Sequence, residues 1–353
     1  MKMQAYAIGI AVLLMVFGIP LAMLVTAQVQ KKAVSPKNKP AQDASYRLSG
    51  PYTHNNLTIF LIHGRDTIKG KDILTLQEAM ERKQVIVHET KDVNELAIEN
   101  ISRYQDVFVQ SGDIVKGGQQ DRMLAVDLIV PPRSGKIPIA AFCVESGRWE
   151  KRGKENVARF EASSDRVATK DIKLAATSST KSQQEVWAKV GEAQDKLSQN
   201  VGTSVNADES ASSLQLSLEN KKVKETTDNY LKSLSKIIEG QTDVIGYAFA
   251  INGKINSADV YASNALFKKL WPKLLKATAV EAVAELQKDL KFAPSKKDEV
   301  EAFFAAAEKG KASESNTGGR SKTVTRESDQ NMFLETLDTK QKDTWVHRSY
   351  IKK

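Results

Sequence analysis

The chain is 353 residues long, 41% apolar and 27% charged, with a formal net charge of +9 and a single cysteine, Cys143. That length suits one large or two modest domains, and the composition is globular rather than disordered, collagenous or disulfide-rich. One cysteine excludes an intramolecular disulfide and a thiolate metal cluster, and the scattered lysines and arginines read as a solvated basic surface, with no specific nucleic-acid binding expected.

Residues 5–27 carry no charge and are nearly all apolar. As a helix they would reach about 34 Å, enough to cross a hydrocarbon core of about 30 Å. The run therefore reads as a single-pass transmembrane anchor or as a secretion signal cut after Ala27. Lys31, Lys32, Lys37 and Lys39 follow it and oppose the simple positive-inside order, so orientation stays open. Either reading exports the body to the bacterial cell envelope. Residues 28–45 are rich in Lys, Pro, Gln and Ser without periodicity and read as a flexible tether.

From Tyr46 the pattern turns strand-like: LTIFLIHG, VIVHET, ELAIENIS and DVFVQ, with a short helix predicted over 73–83. Two longer apolar runs, 123–130 and 137–144, read as strands separated by a Pro-Pro loop. Residues 150–180 are charged and Ser-rich and are expected to form a surface loop. Helical spacing returns over 182–199 and 216–238. Two strands follow around Asn252-Gly253, a strong hairpin signal. Helices are expected over 263–277 and 280–290, with Pro272 marking a kink or a boundary between two shorter helices, and again over 296–309. Residues 312–320 read as a Ser/Gly linker, and the tail as closing strands. The fold class is α+β: a β-rich N-terminal half and a mixed helical and hairpin C-terminal half, preceded by one N-terminal transmembrane or signal helix.

The richest stretch is 112–149, GDIVKGGQQDRMLAVDLIVPPRSGKIPIAAFCVESGRW. One polar cluster, 116–122, precedes the first strand, and another, 145–149, follows the second. Paired Gly117 and Gly118 permit positive φ and let amide N–H groups converge on an anion. Lys116, Gln120 and Arg122 would add contacts, Arg122 with two parallel hydrogen bonds. The spacing is not that of a P-loop. Glu145, behind a buried strand, has the setting of a general base, and equally of an ion pair with Arg148 beneath Trp149. The histidines His54, His63, His88 and His347 show no metal-ligand or triad spacing. Cys143 sits in an apolar strand as a packed thiol, and Trp187 sits on a helix face as a core anchor.

Together VNEL at 93–96, GDIVKGGQQDR, IPIAAFCVESGRW, QQEVW at 183–187 and IGYAFAINGKINSADVY resemble one family. It is named for its association with ADP-ribosylglycohydrolase and rhodanese-phosphatase proteins, and was first described as a domain of unknown function. The resemblance covers roughly 46–290, leaving 291–353 as a C-terminal helix, linker and closing strands. Gln119 and Asp121 depart from the family pattern, where Lys and Asn are common. The resemblance implies a role around ADP-ribose-like ligands and brings no catalytic residues and no cofactor with it.

Three readings stand on these residues. The first is a non-catalytic, membrane-tethered or exported binding or scaffold domain. It would hold an anionic small molecule or a protein partner through Lys116, Gly117, Gly118, Gln120, Arg122, Arg148 and Trp149. The second is a hydrolase or transferase acting on ADP-ribose or a related phosphoester. Asp121 or Glu145 would be its base, and Arg122 with Arg148 would stabilise negative charge. The third is a purely structural corner. All three require the two clusters to be neighbours at one sheet rim.

Overall fold

The computed structural model describes residues 32–33, 46–68, 72–148, 160–167, 169–178, 181–341 and 344–353. The apolar run 5–27 and Trp149 lie outside them. No helix among the described residues is long and apolar enough to cross a membrane.

The chain begins with β1 (Lys32–Ala33), β2 (Arg47–His54), β3 (Leu57–His63), β4 (Leu74–Thr75), α1 (Leu76–Glu81), β5 (Val85–Glu89) and β6 (Glu95–Asn100). Next come β7 (Val107–Val109), β8 (Asp113–Gly117), β9 (Arg122–Leu124), β10 (Leu128–Val130), β11 (Lys136–Cys143) and β12 (Phe160–Val167). The helices α2 (Lys170–Thr177), α3 (Gln183–Val201), α4 (Leu214–Glu219) and α5 (Lys221–Leu234) follow. The chain then runs through β13 (Val244–Ile251), β14 (Lys254–Tyr261), α6 (Asn264–Ala284) and α7 (Lys297–Ala307). It closes with β15 (Lys311–Gly318), β16 (Ser321–Glu327), β17 (Asn331–Asp338) and β18 (Thr344–Lys352).

Nine strands form one sheet in the order β1-β15-β16-β17-β18-β14-β13-β3-β2. Six form a second, β12-β8-β9-β11-β6-β5, and β10-β7-β4 a third. In the large sheet β3 and β13 are buried along their whole length, because both faces are covered. Leu57, Ile59 and Leu61 face the core shared with α3, α5 and α6. Phe60 and Ile62 face Val300, Phe303 and Phe304 of α7. A strand covered on both faces must read as an unbroken apolar run, as LTIFLIH does. The predicted hairpin forms, with Asn252 and Gly253 at φ of 53° and 72°.

Several sequence expectations are corrected. The span 123–130 is not one strand. It breaks at 125–127, so β9 stays in the six-stranded sheet and β10 joins the three-stranded one. The span 150–180 is not all loop, since it holds β12 and α2. Residues 312–320 are not a linker, because β15 occupies most of them. Lys32–Ala33, within the expected tether, pairs with β15. The helix over 216–238 is divided at Asn220, whose side chain accepts from the Lys222 N–H to start α5. Conversely, α6 runs unbroken through Pro272. A proline inside a helix costs about 3 kcal/mol, and the burial of Trp271, Leu274, Leu275, Ala279 and Val283 outweighs it. After residue 290, α7 covers one face of the large sheet and β15–β18 extend it from β14.

Candidate functional site

The two charged turns do meet. At the end of β8, Gly117 and Gly118 have φ of 112° and 59°. A methyl group on Gly118 would stand 2.4 Å from the Phe160 ring, so only glycine fits. The turn carries Asp121 beneath it. Its Oδ1 accepts from the Gly117 N–H at 3.0 Å and its Oδ2 from the Ser213 hydroxyl at 3.1 Å. The Asp121 N–H donates to Glu145 Oε2 at 3.1 Å. Arg148 grips the same carboxylate with Nε at 2.8 Å and Nη2 at 2.7 Å, and Trp187 Nε1 donates to the Glu145 carbonyl at 3.2 Å. Gln183 completes the corner by pairing its amide with both main-chain groups of Cys143.

This geometry limits the chemistry of the corner. Asp121 and Glu145 are fully buried. Burial alone would raise the Glu145 carboxyl, but hydrogen bonds from Arg148, Ser210 and Asp121 hold it below the usual range. A carboxylate that is ionised and engaged at both oxygens is poorly placed to take a proton from a substrate. Lys116 is paired with Glu219 at 2.8 Å. Arg122 is fully buried, 3.5 Å from Glu89 and in contact with the Cys143 sulfur. Its Nε and Nη2, and both amide atoms of the buried Gln120, find no hydrogen-bond partner among the described residues. Burial pushes the Cys143 thiol up to about 11, which keeps it in the un-nucleophilic form.

A second polar cluster was not foreseen. Where β9 and β10 part, Asp127 drops into the core between the sheets. Its Oδ1 accepts from the Ser111 N–H at 2.7 Å, and its Oδ2 from the Thr336 hydroxyl at 2.7 Å. His347 of β18 lies between two carboxylates, with Nδ1 2.6 Å from Asp127 and Nε2 3.2 Å from Asp259. Tyr261 stacks on the imidazole at 4.6 Å. Burial by itself would lower the imidazole, yet the two carboxylates raise it to about 9. Asp259 is held at about 2, because Lys173 and His347 overcome the cost of burial. The ring is therefore an imidazolium at neutral pH, with both N–H groups donating.

Beside this chain lies a cavity of about 60 Å³ between the large sheet, α2 and the 111–127 segment. The sheet presents rows of hydroxyls to it. Ser315, Thr323, Thr336 and His347 are paired across four strands, and Thr325, Leu334 and Ser349 across three. An inward sheet face is ordinarily aliphatic, and hydroxyls there need partners. The hydroxyls of Thr317 and Thr323 are buried without one among the described residues. From α2, Lys173 reaches the cavity while only 8% exposed. Its charge acts on Asp259, and its Nζ makes no hydrogen bond to the described residues. The available signals were Asp127 interrupting the apolar run MLAVDLIV and His347 inside a closing strand. Among the described residues no cluster of His, Cys, Asp and Glu is arranged to hold a metal.

These features define an α+β domain in which two sheets meet over a buried Asp–His–Asp chain and a hydroxyl-lined cavity. The chain belongs to the ARPP-1 family, the ARG and Rhodanese-Phosphatase-superfamily-associated Protein domain, whose family model matches residues 45–351. The match extends past residue 290 and takes in β15–β18, and with them His347. Comparison with curated proteins and with solved structures gives no match.

Proposed function

We propose that this chain is a non-catalytic binding domain whose cavity takes a small oxyanion, or the oxyanion head of a larger ligand. The observation that carries this reading is the Lys173 ammonium. It is nearly buried and faces the cavity, and although Asp259 offsets its charge, no described residue gives it a hydrogen-bonded acceptor, in a place where an unsatisfied ammonium is costly. The unpartnered hydroxyls of Thr317 and Thr323 add donors on the opposite wall. The volume argues for a head group: about 60 Å³ is far below the roughly 300–1,000 Å³ that encloses a drug-sized molecule. An ADP-ribose-like ligand would enter only by one phosphate.

The hydrolase reading has weaker support. A general base needs a pKa near the working pH, whereas His347 is held at about 9 and Asp259 at about 2. Residues 5–27 would act as the anchor or signal that sets the domain in the cell envelope, a reading motivated by their uncharged composition. A reporter fused after Lys353 and active only in the cytoplasm contradicts it.

The ligand reading is tested by thermal shift with phosphate, sulfate and malonate. Stabilisation that is weakened in Thr323→Val and abolished in Lys173→Met is expected. No stabilisation by any of the three, or equal stabilisation of the variants, overturns it.

A further inference from the structure

The end of the β13–β14 hairpin, the first turn of α2 and the segment after α6 enclose a second cavity, of about 450 Å³. That falls in the range of roughly 300–1,000 Å³ that holds small organic ligands. Its lining mixes two kinds of group. Ile251, Ile255, Leu290 and Phe292 supply apolar surface. Leu290 is 60% exposed, one of the few large apolar side chains of the described residues left in water. The same lining carries Lys170, Lys196, Lys254 and Lys291. Lys196 is neutralised by Glu285 at 2.5 Å, whereas no ion pair holds Lys254 or Lys291 among the described residues. Of the other acids, Glu281 accepts from the Asn256 amide at 2.8 Å and from the Lys170 N–H at 3.1 Å, and its burial pushes the carboxyl upward. Lys170, Lys196, Lys254 and Lys291 face Asp171, Glu281 and Glu285, so the lining carries one more basic than acidic side chain.

We propose that this groove binds an aromatic phosphate ester of mononucleotide size, its ring against Phe292 and Leu290 and its phosphate on Lys254 and Lys291. An exposed leucine beside a half-buried phenylalanine supplies a flat apolar platform. Two ammonium groups on flexible stems supply charge that adapts to a phosphate. Neither an apolar ligand nor inorganic phosphate would use both the apolar surface and the lysines. The groove shares α2 with the smaller cavity, but its contacts are made by Lys170 and Asp171 rather than by Lys173.

Isothermal titration of the purified protein with AMP, adenosine and inorganic phosphate tests the assignment. In Lys173→Met, where the smaller cavity lacks its ammonium, AMP should bind saturably and at least ten-fold more tightly than adenosine or phosphate. The exposed double variant Lys254→Ala/Lys291→Ala, and separately Phe292→Ala, should each weaken AMP at least ten-fold while leaving the melting temperature within a few degrees. Lys173→Met should bind AMP as the unaltered protein does, which separates this groove from the smaller cavity. Absent AMP binding, unchanged affinity in the double variant, loss of AMP binding in Lys173→Met, or phosphate binding to Lys173→Met as tight as AMP would each overturn the proposal.

Discussion

The main-chain N–H of Asp121 donates to Oε2 of Glu145 at 3.1 Å, joining two turns that lie 24 positions apart in the sequence. Arg148 holds the same carboxylate with two further hydrogen bonds. One carboxylate thus fixes the end of β11 against the turn after β8, in a place sealed from water.

Arg148→Ala should therefore destabilise the domain strongly. It would leave the buried Glu145 carboxylate without its counter-charge, a change worth about 3–5 kcal/mol. The double variant Glu145→Gln/Arg148→Met should cost less than the sum of its parts, because it removes the charge with its partner. Urea unfolding of the four proteins measures the coupling. Additive losses would mean that the pair is not a unit.

Gly118→Ala should cost about 1–3 kcal/mol for the left-handed backbone alone. The collision of the new methyl with the Phe160 ring, 2.4 Å away, adds to that. Phe160→Leu in the same chain should recover part of the loss. A variant as stable as the parent, judged by thermal melting, would show that the turn tolerates a side chain.

The His347 imidazolium links stability to pH. Its value rises from 6.5 to about 9 on folding, so its stabilisation is complete below about pH 6.5 and is lost as pH climbs through 9. The shift corresponds to roughly 3 kcal/mol. Asp259 has the opposite sense: lowered from 3.8 to about 2, it contributes above about pH 4 and loses that contribution as pH falls towards 2. NMR titration of the His347 ring protons should give a midpoint near 9. A midpoint near 6.5 would remove the imidazolium from this account.

Cys143 should resist alkylation by iodoacetamide at pH 8 in the native protein and react once unfolded in guanidinium. It is fully buried and its thiol is pushed up to about 11, so little thiolate exists and less is reachable. Rapid native labelling would contradict the burial.

The α+β class and the meeting of residues 116–122 with 145–149 were legible because they rest on local signals. Alternating apolar runs set the strands, and glycines with opposite charges mark strand-end corners. The Asp127–His347–Asp259 chain was not legible, since its members lie on three segments that only the sheet order brings together. Asp127 looked like one polar residue in an apolar run, because the break between β9 and β10 carries no Gly or Pro. Ser315 and Thr317 fell in a stretch read as a linker, and Thr323 and Thr325 in a tail read as closing strands, with no sign of which face would be buried. Alternating hydroxyls are ordinary on an outward face, and only the packing of α2 and Asp127 against them makes that face interior.

The central claim, an oxyanion held by Lys173, is tested most directly by a crystal soaked in selenate and measured at the selenium edge. An anomalous peak within hydrogen-bonding distance of Lys173 Nζ in the unaltered protein, and none in Lys173→Met, is the predicted result. An empty cavity in both, or the same peak in both, would contradict it.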